Sequence, residues 1–418
     1  MESLRFLDQD TAESISAQYG TPVFVYDEAT LLARAQSALA FPHAFGLTVR
    51  YAMKACPNGS ILRCFDQLDL HFDASSGYEV TRAMRAGVGT EKISLSSQEL
   101  PADFALLVDD GVKINLCSLN QLKRYADQCP GTSVGLRFNP GLGSGGSAKT
   151  NVGGPSASFG IWKDEVEQVL EVVQSANLTI ERIHTHVGSG SDPEVWKRAA
   201  SLSLGIVKAF PEAETLNLGG GFKVARMKDE TATDLQIVGD AVKRSFEEFA
   251  EDTGRRLKLE IEPGTFLMAN AGSLLSTIQD VTCTGSEGHS FLKLDSGMTE
   301  ILRPSLYGAK HPIVSLPSQA VGTDTQPYVV VGHCCESGDL MTPAAGQPED
   351  LEPRELAVCG VGDLCVIEGV GAYCSAMNAK NYNSFPESPE VLLRVDGSTA
   401  LIRKRQSVDQ ILENETVP

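Results

Sequence analysis

The first residue of this chain suited to covalent chemistry is Lys54, a lysine just after an apolar run. It follows VRYAM and stands just ahead of the breaker pair Pro57-Asn58. A lysine at the mouth of a strand forms a Schiff base with a carbonyl if its ammonium pKa is lowered. Taken alone, Lys54 reads equally as a solvated lysine at a strand end. His184-Thr185-His186-Val187-Gly188-Ser189-Gly190 closes a second apolar run. Its two histidines, two residues apart, would point the same way, as a metal pair does, but the run offers no further zinc ligands nearby. An imidazole can instead stack on an aromatic ring, and Gly-Ser-Gly can present N–H groups and a hydroxyl to a phosphate. Gly219, Gly220 and Gly221 follow the run TLNL and let backbone donors approach an anion, although a plain turn has the same composition. Glu262-Pro263-Gly264 ends LKLEI, placing one carboxylate at a sharp turn.

Three more groups lie further on. Arg303 and Tyr307 in RPSLY suit a carboxylate, through bidentate and phenolic hydrogen bonds. Cys335 and Glu336 lie in CCESGD, where neighbouring acids make the thiol a poor nucleophile but leave it a usable proton donor. Tyr373 lies in GAY.

The elements that must position these residues are legible as alternation. From about Phe24 to Met268, short apolar runs at 47–53, 71–75, 92–96, 112–118, 133–139, 180–187, 215–219 and 257–263 are separated by amphipathic helical segments. Strand–helix repetition predicts parallel strands with helical crossovers. Eight of them fit a TIM-type (β/α)8 barrel, with an open doubly wound sheet as the competing architecture. After Ala271 the segments become short and β-rich, with Gly, Pro, Asn and Asp turns, which predicts an all-β barrel or sandwich domain. TPVFVYD at 21–27 reads as a strand of that second domain. The Gly- and Ser-rich stretch 141–160 reads as a binding loop.

Composition narrows the classes. A formal net charge of -19 argues against a nucleic-acid partner. Ten cysteines without repeated C-x-x-C pairs suggest free thiols in a reducing cytoplasm. The acidic N-terminus is not a secretory signal, and no apolar run is long enough to cross a membrane.

Together, YAMKAC (51–56), RFNPGLGSGGSAKTNVGG (137–154), HTHVGSGSD (184–192), LGGGF (218–222), EIEPG (260–264), RPSLYGAKH (303–311), CESGD (335–339) and GAYCSAMNAKNYNSFPESPEVLL (371–393) resemble the fold-type III pyridoxal-phosphate decarboxylases, and among them the diaminopimelate decarboxylases. The resemblance runs from about Gly20 to the end. It implies a cofactor-binding barrel over 28–270, with 1–27 plus 271–418 as the β domain. It implies decarboxylation of meso-2,6-diaminopimelate to L-lysine with pyridoxal 5'-phosphate as cofactor, in a homodimer with shared active sites. Lys54 then carries the cofactor, with Asp73 near it and His186 stacked on the ring. Ser189, Gly219, Gly220, Gly221 and Tyr373 hold the phosphate. Glu262 pairs with the ring nitrogen, with Gly264 in the same motif. Arg303, Tyr307 and Tyr373 bind substrate, Cys335 donates a proton, and Glu336 meets the substrate's distal end.

Two departures from the family pattern bear on the substrate. Thr265 stands where the pattern E-P-G-R has an arginine, and Ser158 where it has a lysine. Losing a charged carboxylate contact costs roughly 2–5 kcal/mol. The alternatives are therefore a decarboxylase of ornithine, lysine or a modified or carrier-linked amino acid, and a non-catalytic homologue, against which the retained Lys54, Glu262 and Cys335 argue; Lys310 is a candidate replacement cation.

Overall fold

The computed structural model describes residues 2–143, 153–186, 190–318 and 324–416. These pack into two compact units, one of Leu32–Lys223 and Thr231–Leu267, the other of Met1–Leu31, Val224–Glu230 and Met268–Pro418. The second unit thus takes a short segment from the middle of the sequence, which a contiguous division does not contain.

The first unit is a closed barrel. Its strands are β1 Leu47–Ala52, β2 His71–Ala74, β3 Ile93–Ser96, β4 Lys113–Leu116, β5 Ser133–Asn139, β6 Thr179–Thr185, β7 Thr215–Asn217 and β8 Lys258–Ile261. Each pairs in parallel with the next, and β8 returns to β1 with Leu259 opposite Leu47. An open doubly wound sheet would leave two strand edges; here the ring closes, and the (β/α)8 reading holds. The two-residue strand Ile161–Trp162 adds to β5 from outside the ring.

The helices start where the sequence offers caps. Asn58, Ser76, Ser118, Asp192 and Asp234 each accept a backbone N–H from the first turn of the helix that follows. The 19-residue helix Leu235–Thr253 stops at Gly254, whose φ of +74° is the left-handed cap that glycine takes most easily. Outward-facing strand residues pack on these helices. Tyr51 meets Phe65 edge to face, with ring centroids 4.7 Å apart.

Inside the barrel the residues are charged. Arg50 on β1 grips Glu260 on β8 through two contacts of 2.8 and 3.1 Å. Arg182 on β6 reaches the same carboxylate at 3.3 Å and also donates to Ser94 on β3 at 2.9 Å. Strands β3 and β6 are not neighbours, so this network crosses the interior. Burial alone would raise the Glu260 carboxyl, but Arg50 and Arg182 outweigh it and hold the group well below the ordinary range.

The second unit is built on one long strand, Gly272–Cys283. It pairs antiparallel with Val23–Asp27, with Leu364–Glu368 and, beyond a bulge, with Ser290–Leu294. The strand at 23–27 therefore belongs to this sheet, as its sequence suggested, and it also runs parallel to Glu390–Leu393. Helix Gln9–Tyr19 buries Ala12 and Ile15 against Val23, Val25, Leu275 and Val391. Among the described residues no helix is long and apolar enough to cross a membrane.

Candidate active site

The strands of the barrel deliver most of the candidate residues at their C-terminal ends. Lys54 lies in the single 3-10 turn Met53–Ala55 after β1, between buried neighbours, exposed, with Nζ 3.5 Å from Ser75 Oγ. Asp73 pairs in register with Ala52 on the adjacent strand and is buried. Its Oδ1 has no hydrogen-bond partner among the described residues. Burial and the negative charge of Glu262 raise its carboxyl well above the ordinary range, with Lys54 opposing them.

His184 is the last residue but one of β6, and His186 follows the strand. Asn115 Nδ2 lies 2.6 Å from His184 Nδ1 and also donates to Ser96 Oγ at 2.9 Å. The Asn115 amide thus feeds a proton toward Nδ1, which leaves the imidazole proton on Nε2, 3.5 Å from Glu262 Oε2. Burial, then Arg137 and Arg182, push the His184 pKa far down, so the contact is a neutral ring beside a carboxylate and not an ion pair. His186 is kept neutral by burial and by Arg137. Glu262 follows β8, buried, and is held by Asn217 Nδ2 at 2.6 Å.

The glycines after β7 make room. Gly219 has φ +71°, and a Cβ there would fall 2.7 Å from the His186 ring. A Cβ on Gly220 would sit 2.2 Å from the Glu262 carbonyl oxygen. The Gly219 N–H already donates to Asn217 Oδ1 at 2.7 Å, so this glycine contributes space rather than a donor. Gly221 has φ +102°. Gly264 is buried ahead of helix Thr265–Met268. Ser189 lies outside the described residues.

The sequence around the two histidines offers no third metal ligand. The fold supplies one from another strand, since His184, His186 and Glu262 bring ligand atoms within 4.8 Å of one another.

The remaining candidates belong to the β unit. Arg303 and Tyr307 occupy one short helix, with the guanidinium carbon 5.8 Å from the Tyr307 ring centroid. Cys335 is exposed, and its N–H donates to Asn383 Oδ1 at 2.9 Å. Its loop is pinned by Asp339, which accepts from Cys334 N at 2.8 Å and Met298 N at 2.6 Å. Exposed Glu336 accepts from Gly338 N at 3.1 Å. Tyr373 has φ +58°, in the turn after Gly371. Lys310, the candidate replacement cation, is paired with Glu352.

Comparison with known proteins decides among the chemistries that such a barrel mouth can perform. Residues 31–269 match the family described as "Pyridoxal-dependent decarboxylase, pyridoxal binding domain". A diaminopimelate decarboxylase of Streptomyces coelicolor is 34% identical over 99% of this chain and 93% of its own length. One from Escherichia coli K12 is 34% identical over 99% of both chains. A crystal structure of diaminopimelate decarboxylase covers 99% of both chains with a TM-score of 0.91 at 33% identity.

This chain belongs to the pyridoxal-dependent decarboxylase family.

The barrel residues fit a pyridoxal phosphate on their own chemistry. A primary amine, a buried carboxyl with an unused oxygen, a neutral imidazole over a glycine, and a carboxylate fixed by an amide sit on adjoining strand ends. Other side chains steady this site, and of them Asn115, Asn217 and Arg137 carry no role in the sequence motifs. Asn115 and His184 set the proton facing Glu262, and Asn217 aims its carboxylate. Buried Arg137, stacked 5.1 Å from the Phe159 ring, helps keep both histidines neutral. The available signal was an ionisable residue inside an apolar strand, as in SVGLRFN and TIERIHT, because such a group is retained only with partners.

Proposed function

We propose that this chain is a pyridoxal-phosphate-dependent carboxy-lyase converting meso-2,6-diaminopimelate to L-lysine and carbon dioxide. The observation that carries this reading is its full-length likeness to diaminopimelate decarboxylases, joined to the lysine, histidine and carboxylate at one barrel mouth. When bound, pyridoxal phosphate supplies an electron-accepting ring that no side chain provides.

The roles are those the family resemblance implies, and the arrangement of the barrel residues supports them. In this reading residues 28–270 form the cofactor domain, and 1–27 with 271–418 the β domain. Lys54 holds the cofactor through Nζ, with Asp73 beside it. Glu262, fixed by Asn217, would accept a charge-assisted hydrogen bond from the ring nitrogen, with Gly264 in the same turn. His186, beside whose imidazole Gly219 leaves space, would stack on the cofactor ring. Ser189, Gly220, Gly221 and Tyr373 bind the phosphate. Arg303, Tyr307 and Tyr373 take a substrate carboxylate, and Glu336 accepts from the distal ammonium. Cys335 Sγ gives its proton to the carbon that carbon dioxide leaves, and the thiolate recovers one from water. A reducing cytoplasm keeps that thiol available.

The test is turnover of a panel by the purified protein with pyridoxal phosphate. Meso-diaminopimelate should be decarboxylated faster than lysine or ornithine. Thr265 favours a second reading, in which the substrate has no distal carboxylate. Faster turnover of lysine or ornithine would establish that reading and retire the first.

The exposed Cys335 is taken here to complete the site of a second copy of the chain, making the active species a homodimer. Mixing inactive Lys54→Ala with inactive Cys335→Ala should then restore partial activity, because a mixed dimer holds one site with both groups intact. No recovery after verified subunit exchange would point to a site made within one chain.

A further inference from the structure

The β unit buries a guanidinium without giving it an acid. Arg226 is 9% exposed, its Nε donates to the Gly369 carbonyl at 3.0 Å, and its Nη2 has no acceptor among the described residues. The side-chain stem lies close against Gly369, where an added Cβ would come within 3.1 Å of Cγ. The preceding carbonyl, Glu368 O, takes His311 Nδ1 at 3.0 Å, which leaves His311 Nε2 a bare lone pair with no donor. A second arginine, Arg303, also has a buried Nε without an acceptor. Its positive charge adds to burial in pushing the Arg226 guanidinium down to about 9. Burial and the same two arginines hold His311 neutral.

The carboxylates of the neighbourhood are engaged elsewhere. Glu230 accepts from the backbone N–H groups of Arg226 and Met227 at 2.7 and 3.2 Å. Glu368 accepts from Ser273 Oγ at 2.7 Å and Arg5 N at 3.2 Å. Two neighbouring cations with spare N–H groups repel each other, and burial removes the water that would screen them. An anion held by both would relieve that repulsion. A guanidinium pair is suited to the two oxygens of a carboxylate.

We propose that Arg226 is a substrate-binding residue that, with Arg303, holds a carboxylate of the amino-acid substrate. This deepens the function proposed above and rests on it. It selects for a substrate that keeps a carboxylate besides the one lost as carbon dioxide. Lysine and ornithine offer at that end only an ammonium, which two arginines repel. The assignment also provides this chain with a cation that neither Thr265 nor the engaged Lys310 supplies.

The test uses Arg226→Met, which keeps the aliphatic stem, in the cofactor-loaded enzyme. The probe is pimelate, the substrate skeleton without its amino groups, titrated by calorimetry alongside steady-state kinetics. Pimelate affinity should fall and KM for meso-diaminopimelate should rise by at least about 30-fold, the effect of removing one partner of a buried charge-assisted contact. The preference for meso-diaminopimelate over lysine should shrink, while affinity for pyridoxal phosphate should persist. A folded variant with unaltered pimelate affinity and KM would overturn the proposal. So would weakened cofactor binding with unaltered pimelate binding, which would assign the guanidinium to the phosphate. If Arg226→Met does not fold, Arg226→Lys decides by the same titrations, an intermediate loss supporting the proposal and no loss overturning it. A wild-type protein that decarboxylates no amino acid overturns the proposed function, whereas the pimelate titration still judges Arg226.

Discussion

Lys54→Ala should leave purified protein colourless and lower decarboxylation by roughly 10³-fold or more, the scale of losing a group that acts in both bond-making and proton transfer. The expectation rests on where the lysine stands. Met53 and Ala55 on either side are buried, so the turn after β1 is fixed while the Lys54 side chain projects from it. Its amine approaches Ser75 Oγ, and its charge is felt by the buried carboxyl of Asp73 and the half-buried one of Glu79. Borohydride reduction of the wild-type holoenzyme followed by peptide mapping should place a pyridoxyl group on Lys54. The same treatment of Lys54→Ala should mark no residue. A pyridoxyl group on any other lysine of the wild type would remove Lys54 from the role and redirect attention to that residue's surroundings.

The sequence made the barrel legible because each of its strands is an apolar run bounded by breakers, and the fold kept those runs within a few residues. TLNLG shortened to Thr215–Asn217 because Leu218 onward already turns toward the glycines. Other elements gave weaker signals for physical reasons. Strand Gln347–Leu351 is largely exposed and carries Glu349 and Asp350, so no apolar alternation marks it. Helix Gln9–Tyr19 buries only Ala12 and Ile15, and its acids read as a plain terminus. Within the site, the residues that touch a ligand stand at strand ends with distinctive neighbours. The residues that aim them stand mid-strand and are polar, and a pattern of burial cannot say which polar groups meet. Asn115, on β4, meets His184, on β6, across the intervening β5, a pairing that no run of residues announces. Arg226 was the least legible, since its segment joins the β unit from the middle of the barrel sequence and forms no element of its own.

The barrel's internal charges produce the second large expected effect. Glu260→Gln should destabilise the protein by about 3–5 kcal/mol, because it removes the carboxylate that two buried guanidinium groups both grip. The amide keeps the shape of the side chain, so packing is preserved and the loss is electrostatic. Arg50 is 1% and Arg182 2% exposed, which leaves neither a route to water. A fall in Tm of roughly 10 °C is the corresponding thermal shift. The pH dependence has a definite sign. The folded-state pKa of Glu260 is depressed, so its stabilisation is complete above the ordinary glutamate value and fades as pH falls from there toward the folded value. The stability gap between wild type and Glu260→Gln should therefore be constant near neutrality and narrow in acid. A gap that widens in acid, or a variant as stable as wild type at pH 7, would show that the arginines find other partners. The effect should also reach the site. Asn217 Nδ2 touches Glu260 Oε2 at 3.3 Å as well as Glu262 Oε1 at 2.6 Å, so the amide that aims Glu262 is itself held by the residue removed. Weaker cofactor retention in Glu260→Gln, measured below its unfolding temperature, would show that the charged interior holds the site as well as the barrel.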